Sequence, residues 1–303
     1  MKSLVTGGAG FIGSHIVDAL IEKGHQVVII DDLSTGNKEF INPRAKFIEK
    51  SITEDLSQIF QKEKFDYVFH LAAQIDLRKS LLDPVKDAEI NILGSLNVIN
   101  QCIKNKVKKF IFSSSAAVYS PEAKIPASED DKISPLSSYG LAKYTVENYL
   151  KILKNIHGLD YVTLRYSNVY GPRQSMKGEA GVVSIFIKNI LADKQITIFG
   201  SGEQTRDFIF VKDVVEANLL AINLSGIYNV STSIETSVNK LTENLKKLIK
   251  KDAKIIHSDA IKGELQRSAL SYENLKKLGF QPKYHLEQGL KETIDFFKSS
   301  DSN

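Results

Sequence analysis

Tyr139 and Lys143 lie four residues apart in the segment SYGLAK, and this spacing places both side chains on one face of a helix. An ammonium group beside a phenol favours the ionised phenolate and lowers a phenol pKa that is ordinarily about 10. Such a phenolate can take a proton from a hydroxyl group and return it. Tyr272 and Lys276 have the same spacing in SYENLK, but no hydroxyl-rich segment precedes them, so we interpret this second pair as an ordinary exposed helix face.

The segment FSSSAAVYS, residues 112–120, places three consecutive serines at the end of an apolar run. The last of them, Ser115, precedes Tyr139 by 24 residues. Ala116 and Ala117 follow the serines, and neither side chain donates or accepts a proton. The segment therefore offers hydroxyl groups and no acid. A purely structural role for Ser115, as a helix cap or turn former, is the alternative.

The first turn reads VTGGAGFIGSH, in which Gly7, Gly10 and Gly13 recur between a predicted strand and a predicted helix. Glycines there let the backbone approach a pyrophosphate at the helix N-terminus and let the helix pack closely on the strand. Asp31 ends the next apolar run, where an acid takes the ribose hydroxyls of a dinucleotide. Its charge would repel a 2′-phosphate, which favours NAD over NADP. Alternatively, Asp31 and Asp32 cap a loop.

Short β-branched runs alternate with helical periodicity up to about residue 170. Helices are predicted at 13–23, 84–104 and 138–157, and strands at SLVT, HQVVII, AKFIE, DYVFHLAA, KKFIFSS and DYVTLRY. This alternation predicts the α/β class, with a Rossmann-like, doubly wound parallel sheet and helices on both faces. We therefore assign residues 1–170 to a dinucleotide-binding domain.

The pattern changes after Gly171 and Pro172 to loops punctuated by glycine. Short strands are predicted at ITIFG and GIYNV, and helices at 182–192, 213–223, 237–250 and 285–298. Residues 171–303 are predicted to form a smaller α/β lobe that binds substrate, with some crossing of the chain between lobes. In open α/β folds such a lobe usually closes over a ligand at the C-terminal edge of the strands.

Composition argues against several classes of protein. The 303 residues are 42% apolar and 25% charged, as in soluble globular proteins, and no apolar run approaches the roughly 20 residues of a membrane span. The apolar segment SLVTGG follows Met1 and Lys2 directly, so we expect no signal peptide. A single cysteine, Cys102, rules out an intramolecular disulfide framework and favours a reducing cytoplasm.

Charge and histidine content argue against nucleic-acid and metal partners. The net charge is only +4, and the lysine-rich run 244–254 is best interpreted as a solvated helix face. Six histidines and one cysteine form no cluster with metal-ligand spacing, so no metal is expected. His70 is interpreted as packed under the glycine turn, and Asn91 and Asn97 as bracing helix and sheet.

The glycine turn, the strand-end serines and the Tyr–Lys pair together resemble the extended short-chain dehydrogenase/reductase family. The similarity to its UDP-glucose 4-epimerase group extends over nearly the whole chain and is carried by TGGAGFIGSH, HLAAQIDLRKSLLDP, NILGSLNVI, FSSSAAVY, SYGLAK, LRYSNVYGPRQ and RDFIFVKDV. Related dehydratases and decarboxylating enzymes carry an acid where this chain has Ala116 and Ala117. The resemblance therefore implies chemistry that stops at C4 of the sugar.

The resemblance implies that Ser115, Tyr139 and Lys143 are catalytic and that NAD is the retained cofactor. Besides Tyr139 and Lys143, the residues expected to contact NAD are Gly7, Gly10, Phe11, Ile12, Gly13, Asp31, Asp32, Ser51, Ile52, Leu71, Ala72 and Ala73. Those expected to contact a UDP-sugar are Ser115, Asn168, Phe199, Arg206, Glu264 and Ser268.

Two segments depart from the family pattern. IKGE has Ile261 where the family commonly has an arginine and Glu264 where it has an aspartate, so phosphate and ribose binding is weaker or Lys262 substitutes. Ser51 in EKSITED replaces an aspartate that holds the adenine amino group in many relatives, which leaves a backbone contact from Ile52.

The function implied is the 4-epimerisation of a UDP-hexose, UDP-glucose or UDP-galactose, through a transient 4-keto sugar. Ser268 is small where glucose-restricted relatives tend to have a tyrosine, and this suggests the hypothesis that UDP-GlcNAc and UDP-GalNAc are also accepted. The alternatives are a UDP-glucuronate 4-epimerase and a non-catalytic NAD(H)-binding regulator of the same fold. The resemblance also implies a homodimer through helices 84–104 and 138–157.

Overall fold

The structure, a computed structural model, describes residues 1–174, 181–260 and 265–300. The strands are β1 (Lys2–Thr6), β2 (Gln26–Asp31), β3 (Lys46–Glu49), β4 (Tyr67–His70), β5 (Lys109–Ser115), β6 (Tyr161–Tyr166), β7 (Asn168–Tyr170), β8 (Ile196–Phe199), β9 (Thr205–Arg206), β10 (Phe208–Phe210), β11 (Gly226–Val230), β12 (Thr236–Ser237), β13 (Ile255–Ser258) and β14 (Arg267–Ser268). The helices are α1 (Phe11–Glu22), α2 (Ser57–Glu63), α3 (Leu77–Leu82), α4 (Pro84–Ala88), α5 (Ser95–Lys104), α6 (Ser138–His157), α7 (Val182–Leu191), α8 (Val211–Ala221), α9 (Val238–Ile249), α10 (Glu273–Lys276) and α11 (Leu286–Ser300). Short 3-10 turns cover Lys38–Phe40 and Ala116–Val118, and a π-helical turn, Glu89–Gly94, joins α4 to α5.

The central sheet has seven strands in the order β11-β6-β5-β4-β1-β2-β3. The pairs β1–β2, β1–β4, β2–β3 and β4–β5 are parallel. The strand order reverses at β1, because β2 and β3 lie on one side of it and β4, β5 and β6 on the other. This order is that of a doubly wound sheet, which binds ligands at the point of reversal, and the predicted Rossmann-like fold class is confirmed.

Burial of apolar side chains explains why these segments form strands and helices. The inner strands are almost wholly buried, as expected when helices cover both faces of a parallel sheet. One core cluster joins the sheet residues Phe110 and Phe112 to Phe60 of α2, Val98 of α5 and Val146 of α6. These helices bury one apolar face each, so their positions against the sheet follow from their periodicity.

The described chain divides into two compact units. The first contains residues 1–120, 133–165 and 215–228, and the second contains 121–132, 166–214 and 229–303. Strand β11, the segment GIYNV, was predicted in the smaller lobe, and that prediction was wrong, because β11 forms an edge of the central sheet beside β6. It follows helix α8 and continues the strand–helix–strand alternation, a relationship that its local pattern does not reveal.

The helices of the second half of the chain confirm the predicted periodicity. Helices α7, α8, α9 and α11 begin and end within two residues of the predicted bounds. The second unit also contains small sheets, in which β10 pairs with β7, β13 pairs with β8, and β9 lies between β12 and β14. None of the described helices is long and apolar enough to cross a membrane. Over the same residues, no group of three or more histidine, cysteine or acidic side chains is placed to hold a metal ion.

Candidate active site

The Tyr–Lys helix is joined to the serine-bearing strand by a buried hydrogen bond. Lys143 on α6 is 4% exposed, and its Nζ donates to the main-chain carbonyl of Ser113 on β5 at 2.8 Å. The same Nζ lies 5.7 Å from the centroid of the Tyr139 ring. The spacing of four residues therefore places both groups beside the end of β5, where Ser115 is the last residue of the strand.

The start of α6 is set by a cap and by a glycine. The Ser137 hydroxyl accepts a hydrogen bond from the amide of Gly140 at 3.1 Å, which satisfies one of the free amides of the first turn. A Cβ atom added to Gly140 would lie 2.3 Å from the carbonyl oxygen of Ala117. Only glycine permits this approach, and it places the neighbouring Tyr139 close to the turn that follows β5.

The hydroxyl of Ser115 accepts a hydrogen bond from the amide of Ala117 at 3.2 Å and caps the 3-10 turn Ala116–Val118. The capping role considered from the sequence is therefore present. It uses the oxygen as an acceptor, so the hydroxyl proton remains available to donate to a substrate oxygen. Capping and substrate binding are thus compatible in one side chain.

Burial makes Lys143 a weaker base than an exposed lysine. Removal from water lowers the pKa of Lys143 to about 8, and the negative charges of Asp87 and Glu147 oppose that decrease. Its charge at neutral pH therefore depends on the two nearby carboxylates. A protonated Lys143 stabilises negative charge on Tyr139, which is the condition for Tyr139 to act as a base.

The second Tyr–Lys pair shows that spacing alone does not make such a site. Lys276 Nζ lies 5.8 Å from the centroid of the Tyr272 ring, almost the distance in the first pair. Its side chain is 52% exposed and forms an ion pair with Glu273, which raises the pKa of Lys276. Tyr272 packs edge-on against Phe280. Lys276 is exposed as predicted, and the two pairs differ in burial and in the partner of the ammonium group.

A buried ion pair lies one helical turn beyond Lys143. Glu147 accepts from Arg165 of β6 through Nε at 3.0 Å and Nη2 at 2.6 Å, and it accepts from the hydroxyl of Ser114 at 2.6 Å. Arg165 Nη1 also donates to the hydroxyl of Tyr119 at 2.9 Å. This network ties α6 to β5 at Ser114, directly between the carbonyl that holds Lys143 and the hydroxyl of Ser115.

The glycine turn between β1 and α1 has the shape of a dinucleotide cradle. Gly7 has a φ of +70°, which favours glycine, and an added Cβ would lie 2.7 Å from the amide nitrogen of Ala72. A Cβ on Gly13 would lie 2.1 Å from the carbonyl oxygen of Gly7. These close approaches exclude a side chain at Gly7 and Gly13, so the backbone of the turn stays uncovered beside the start of α1. The first residues of α1 are Phe11 and Ile12. A pyrophosphate fits such a turn.

The two acids after β2 have different environments. Asp31 is buried, and its carboxylate accepts from the amides of Ala9 at 3.0 Å and Leu33 at 2.9 Å. Burial raises the pKa of Asp31, and these two hydrogen bonds oppose the rise. Asp32 accepts from the amide and hydroxyl of Ser34 at the surface. Asp31 thus braces the glycine turn through Ala9, and the structure places it at the edge where a ribose is expected.

The remaining segments predicted to contact the cofactor are held by asparagine side chains. Asn97 Nδ2 donates to the carbonyl of Ile52 at 2.8 Å, next to Ser51. Asn91 accepts from the amide of Gln74 at 2.9 Å and donates to its carbonyl at 2.8 Å, which holds the loop after residues 71–73. The expectation was that Asn91 and Asn97 brace helix and sheet, but both side chains bond to loops outside the strands, at Gln74 and at Ile52.

His70 belongs to a buried chain of hydrogen bonds beneath the same loop. Its Nδ1 lies 2.8 Å from the Thr6 hydroxyl, and its Nε2 lies 2.9 Å from the hydroxyl of Ser95, which donates to the carbonyl of Asn91. Thr6 also accepts from the amide of Ala72, and the amide of Leu71 donates to the Thr6 carbonyl. Burial lowers the pKa of His70 to about 3, so the imidazole is neutral. The predicted packing role is confirmed.

Four of the residues predicted to bind substrate, Asn168, Phe199, Arg206 and Ser268, fall in the second unit. Arg206 ends β9 and is paired with Ser268 of β14, and the amide of Asn168 on β7 donates to the carbonyl of Asp207 at 2.9 Å. Phe199 ends β8 with an exposed ring, and its carbonyl accepts from Gln204 Nε2 at 2.8 Å. Glu264, with Ile261 and Lys262, lies outside the described residues.

The family is decided by comparison with known proteins. A model of the family described as NAD dependent epimerase/dehydratase matches residues 3–231. The chain belongs to the NAD dependent epimerase/dehydratase family. The match includes the glycine turn, Ser115, Tyr139, Lys143 and Arg206, and it ends before Ser268.

Individual members of this family are similar over almost the full chain. A putative UDP-glucose 4-epimerase of Methanocaldococcus jannaschii is 45% identical over 300 residues, which cover 98% of this chain and 98% of that protein. The crystal structure of UDP-glucose 4-epimerase from Thermotoga maritima with UDP-glucose has a TM-score of 0.97 at 45% identity and covers 99% of each chain. UDP-N-acetylglucosamine 4-epimerase from Methanobrevibacter ruminantium, in complex with UDP-N-acetylmuramic acid, has a TM-score of 0.94 at 39% identity, covering 99% of this chain and 98% of that one. The resemblance stated from the sequence is confirmed.

The sequence motifs assigned no role to Gly140, Glu147, Arg165 or Asp87, although Gly140 lies in SYGLAK and Arg165 in LRYSNVYGPRQ. Gly140 sets the approach of α6, Glu147 binds Ser114 and Arg165, and Asp87 acts electrostatically on Lys143. Glu147 does carry a sequence signal, because it lies four residues beyond Lys143 on the same helix face. Arg165 and Asp87 carry none, since their partners are distant in the chain.

Proposed function

We propose that this protein is an NAD-dependent UDP-hexose 4-epimerase. The observation that carries the proposal is the arrangement at the end of β5. Ser115 is the last residue of the strand, and Lys143 donates to the carbonyl of Ser113 in the same strand. Alanines occupy the two positions after Ser115. The arrangement has a base and a hydroxyl donor, and neither of the two positions after the strand carries an acid, which suits removal and return of a single hydroxyl proton.

The residues that would hold NAD fit the dinucleotide. The bare turn at Gly7 and Gly13 accommodates the pyrophosphate, and Asp31 at the end of β2 suits the adenosine ribose. When bound, NAD supplies the redox chemistry by accepting a hydride from the sugar and returning it. Asp31 disfavours a cofactor that carries a 2′-phosphate, because two negative charges would then meet.

In the proposed mechanism Tyr139 takes the proton of the sugar 4-hydroxyl and later returns it to the 4-keto oxygen. Lys143 stabilises the phenolate of Tyr139, and the Ser113 carbonyl holds the ammonium group in place. Ser115 donates to the same sugar oxygen while its own oxygen stays bonded to the amide of Ala117. Because the proton held by Tyr139 and the hydride would both be returned to the sugar, C4 would be inverted without net oxidation if the keto sugar presented its opposite face.

For the second unit we propose the binding of the nucleotide and of the sugar substituents. Arg206 and Asn168 would contact the diphosphate, Phe199 the uracil and Glu264 the ribose, as the family resemblance implies. A guanidinium group forks onto phosphate oxygens, which suits Arg206. Ser268, paired with Arg206, is small enough to leave room for a 2-acetamido group, so we propose that N-acetylated UDP-hexoses are accepted as well.

We also propose a homodimer formed through α6 and the segment before α5. Helix α6 exposes an apolar stripe at Leu141, Tyr149, Ile152 and Ile156, and Leu93 on the π-helical turn is exposed too. The spacing of the α6 residues places them on one helix face, as in a helical bundle.

The single buried cysteine, Cys102, supports the proposal of a reducing cytoplasm.

The decisive experiment mixes the purified protein with UDP-glucose, UDP-GlcNAc and UDP-glucuronate in separate reactions and resolves the products. We expect the 4-epimer of the first sugar and of its N-acetylated analogue without added reductant. Exclusive turnover of UDP-glucuronate would instead identify a UDP-glucuronate 4-epimerase. Bound NAD(H) with no turnover of any UDP-sugar would contradict the proposal and favour a non-catalytic regulator.

A further inference from the structure

The main chain of Asp207 links residues that are proposed to bind the sugar nucleotide. Its amide donates to the carbonyl of Ser268 at 3.0 Å, and its carbonyl accepts from the amide of Asn168 at 2.9 Å. Arg206 precedes Asp207 in the chain and is paired with Ser268. One residue therefore joins three segments, each of which carries a proposed substrate contact.

The side chain of Asp207 is fully buried, at 0% exposure, and is held by four donors. Its carboxylate accepts from the amide of Thr232 at 3.0 Å, the hydroxyl of Thr232 at 2.6 Å, the amide of Ser233 at 3.0 Å and the amide of Leu270 at 3.4 Å. A carboxylate has only acceptors and satisfies all four groups. Each carboxylate oxygen accepts from two of these donors, so an amide in its place would turn its NH2 group toward two donors and remove their acceptor.

Arg206 has a contact of its own, separate from those of the Asp207 side chain. Its Nη1 donates to the carbonyl of Thr205 at 2.8 Å, whereas the Asp207 carboxylate faces the amides of residues 232, 233 and 270. Burial raises the pKa of Asp207, and the hydrogen bonds from its donors oppose the rise.

We propose that Asp207 is a positioning residue for a nucleoside diphosphate-sugar. It holds Asn168, Arg206 and Ser268 in the arrangement that binds the ligand, and it does not contact the ligand itself. The inference rests on the proposed function, since the three residues bind a UDP-sugar only if the protein is such an enzyme. It assigns to Asp207 an effect on substrate affinity, separate from its effect on folding.

Asp207→Asn is the test, and Asp213→Asn is the matched control. Asp213 lies in the same unit, is 1% exposed and also accepts main-chain amides, from Lys283 at 2.8 Å and Tyr284 at 3.3 Å. We expect Asp207→Asn to raise the KM for UDP-glucose and the Kd for UDP by about tenfold, while kcat and NAD content change little. Asp213→Asn should lower the melting temperature and leave both constants near the wild-type values.

Thr232→Val provides a second variant in case Asp207→Asn does not fold. It removes one hydroxyl donor and keeps the main-chain amide, so we expect a smaller rise of KM in the same direction. Equal losses of stability in Asp207→Asn and Asp213→Asn with unchanged KM and Kd, or an unchanged KM in Thr232→Val, would overturn the inference. A wild-type protein that neither binds UDP nor turns over a UDP-sugar would overturn the proposed function and this inference with it.

Discussion

The ammonium group of Lys143 donates to the main-chain carbonyl of Ser113 at 2.8 Å, two residues before the proposed catalytic hydroxyl of Ser115. This hydrogen bond fixes the helix that carries Tyr139 against the end of β5. It also leaves the Lys143 charge buried, where its effect on a neighbouring phenol is larger than in water. Catalysis is therefore expected to depend on this contact and on the charges around it.

Replacement of Tyr139 by phenylalanine should abolish most of the activity. The change removes the proposed proton acceptor, so we expect turnover to fall by at least ~100-fold, the lower end of what a general acid-base group contributes. Binding of UDP and NAD should be retained. Tyr272→Phe is the matched control, because its ring has the same distance to a lysine and it should keep full turnover. Normal turnover in Tyr139→Phe would refute the role of Tyr139.

Activity should decline as pH rises through about 8, the pKa to which burial lowers Lys143. Below this pH Lys143 is protonated and stabilises the phenolate, and above it the charge is lost. The carboxylate of Asp87 holds the pKa of Lys143 up, so Asp87→Asn should move the alkaline limb of kcat/KM to lower pH. Asp193→Asn, at an exposed surface carboxylate, should not move it. An unmoved limb in Asp87→Asn would show that Asp87 does not act on Lys143.

The hydrogen bond from Ser114 to Glu147 should contribute to turnover, although we assign neither residue a contact with substrate. Ser114→Ala removes this bond and keeps the Glu147–Arg165 ion pair. Because the bond joins β5, which carries Ser115, to α6, which carries Tyr139, its loss leaves the distance between these two side chains less constrained. We expect kcat to fall several-fold while KM stays constant, and stability to fall by roughly 1.5–3 kcal/mol, the usual contribution of a hydrogen bond to a charged group. Ser184→Ala, at an equally buried serine, is the control and should leave kcat unchanged. Equal kcat in both variants would argue against the positioning role.

The size of residue 268 should decide whether N-acetylated sugars are accepted. Ser268→Tyr adds bulk where we place the 2-acetamido group, and overpacking should selectively lower kcat/KM for UDP-GlcNAc relative to UDP-glucose. Ser268→Ala keeps the space and should keep both activities. If the wild-type protein shows no measurable turnover of UDP-GlcNAc, the hypothesis fails.

The apolar stripe on α6 should be required for dimer formation. Ile152→Glu places a charge in the proposed helical bundle, where it would be desolvated without a partner, so we expect monomers at concentrations at which the wild type is dimeric. Light scattering measures the mass directly. Leu278→Glu, at another exposed apolar residue, serves as the control and should remain dimeric. A wild-type monomer at micromolar concentration would exclude the proposed dimer.

Local patterns predicted most of the fold and the chemical groups of the site. The alternation of strands and helices, the glycine turn and the Tyr–Lys spacing depend only on neighbours within a few residues, so they can be read from the sequence. The main errors arose where distant partners decide the outcome. Strand β11 joined the central sheet rather than the smaller lobe, and Asn91 braced a loop rather than the sheet.

The two Tyr–Lys pairs have the same spacing in the sequence and different environments in the folded chain. The sequence placed a tyrosine within reach of a lysine twice, and the structure reproduces both separations, 5.7 Å and 5.8 Å. Burial distinguishes the two lysines, because only Lys143 is covered by the sheet and bonded to the strand that ends at Ser115. Burial and the contacts of Glu147, Arg165 and Asp207 arise when segments far apart in the chain pack together. The periodicity of one segment does not predict which distant residues it will contact in the folded protein.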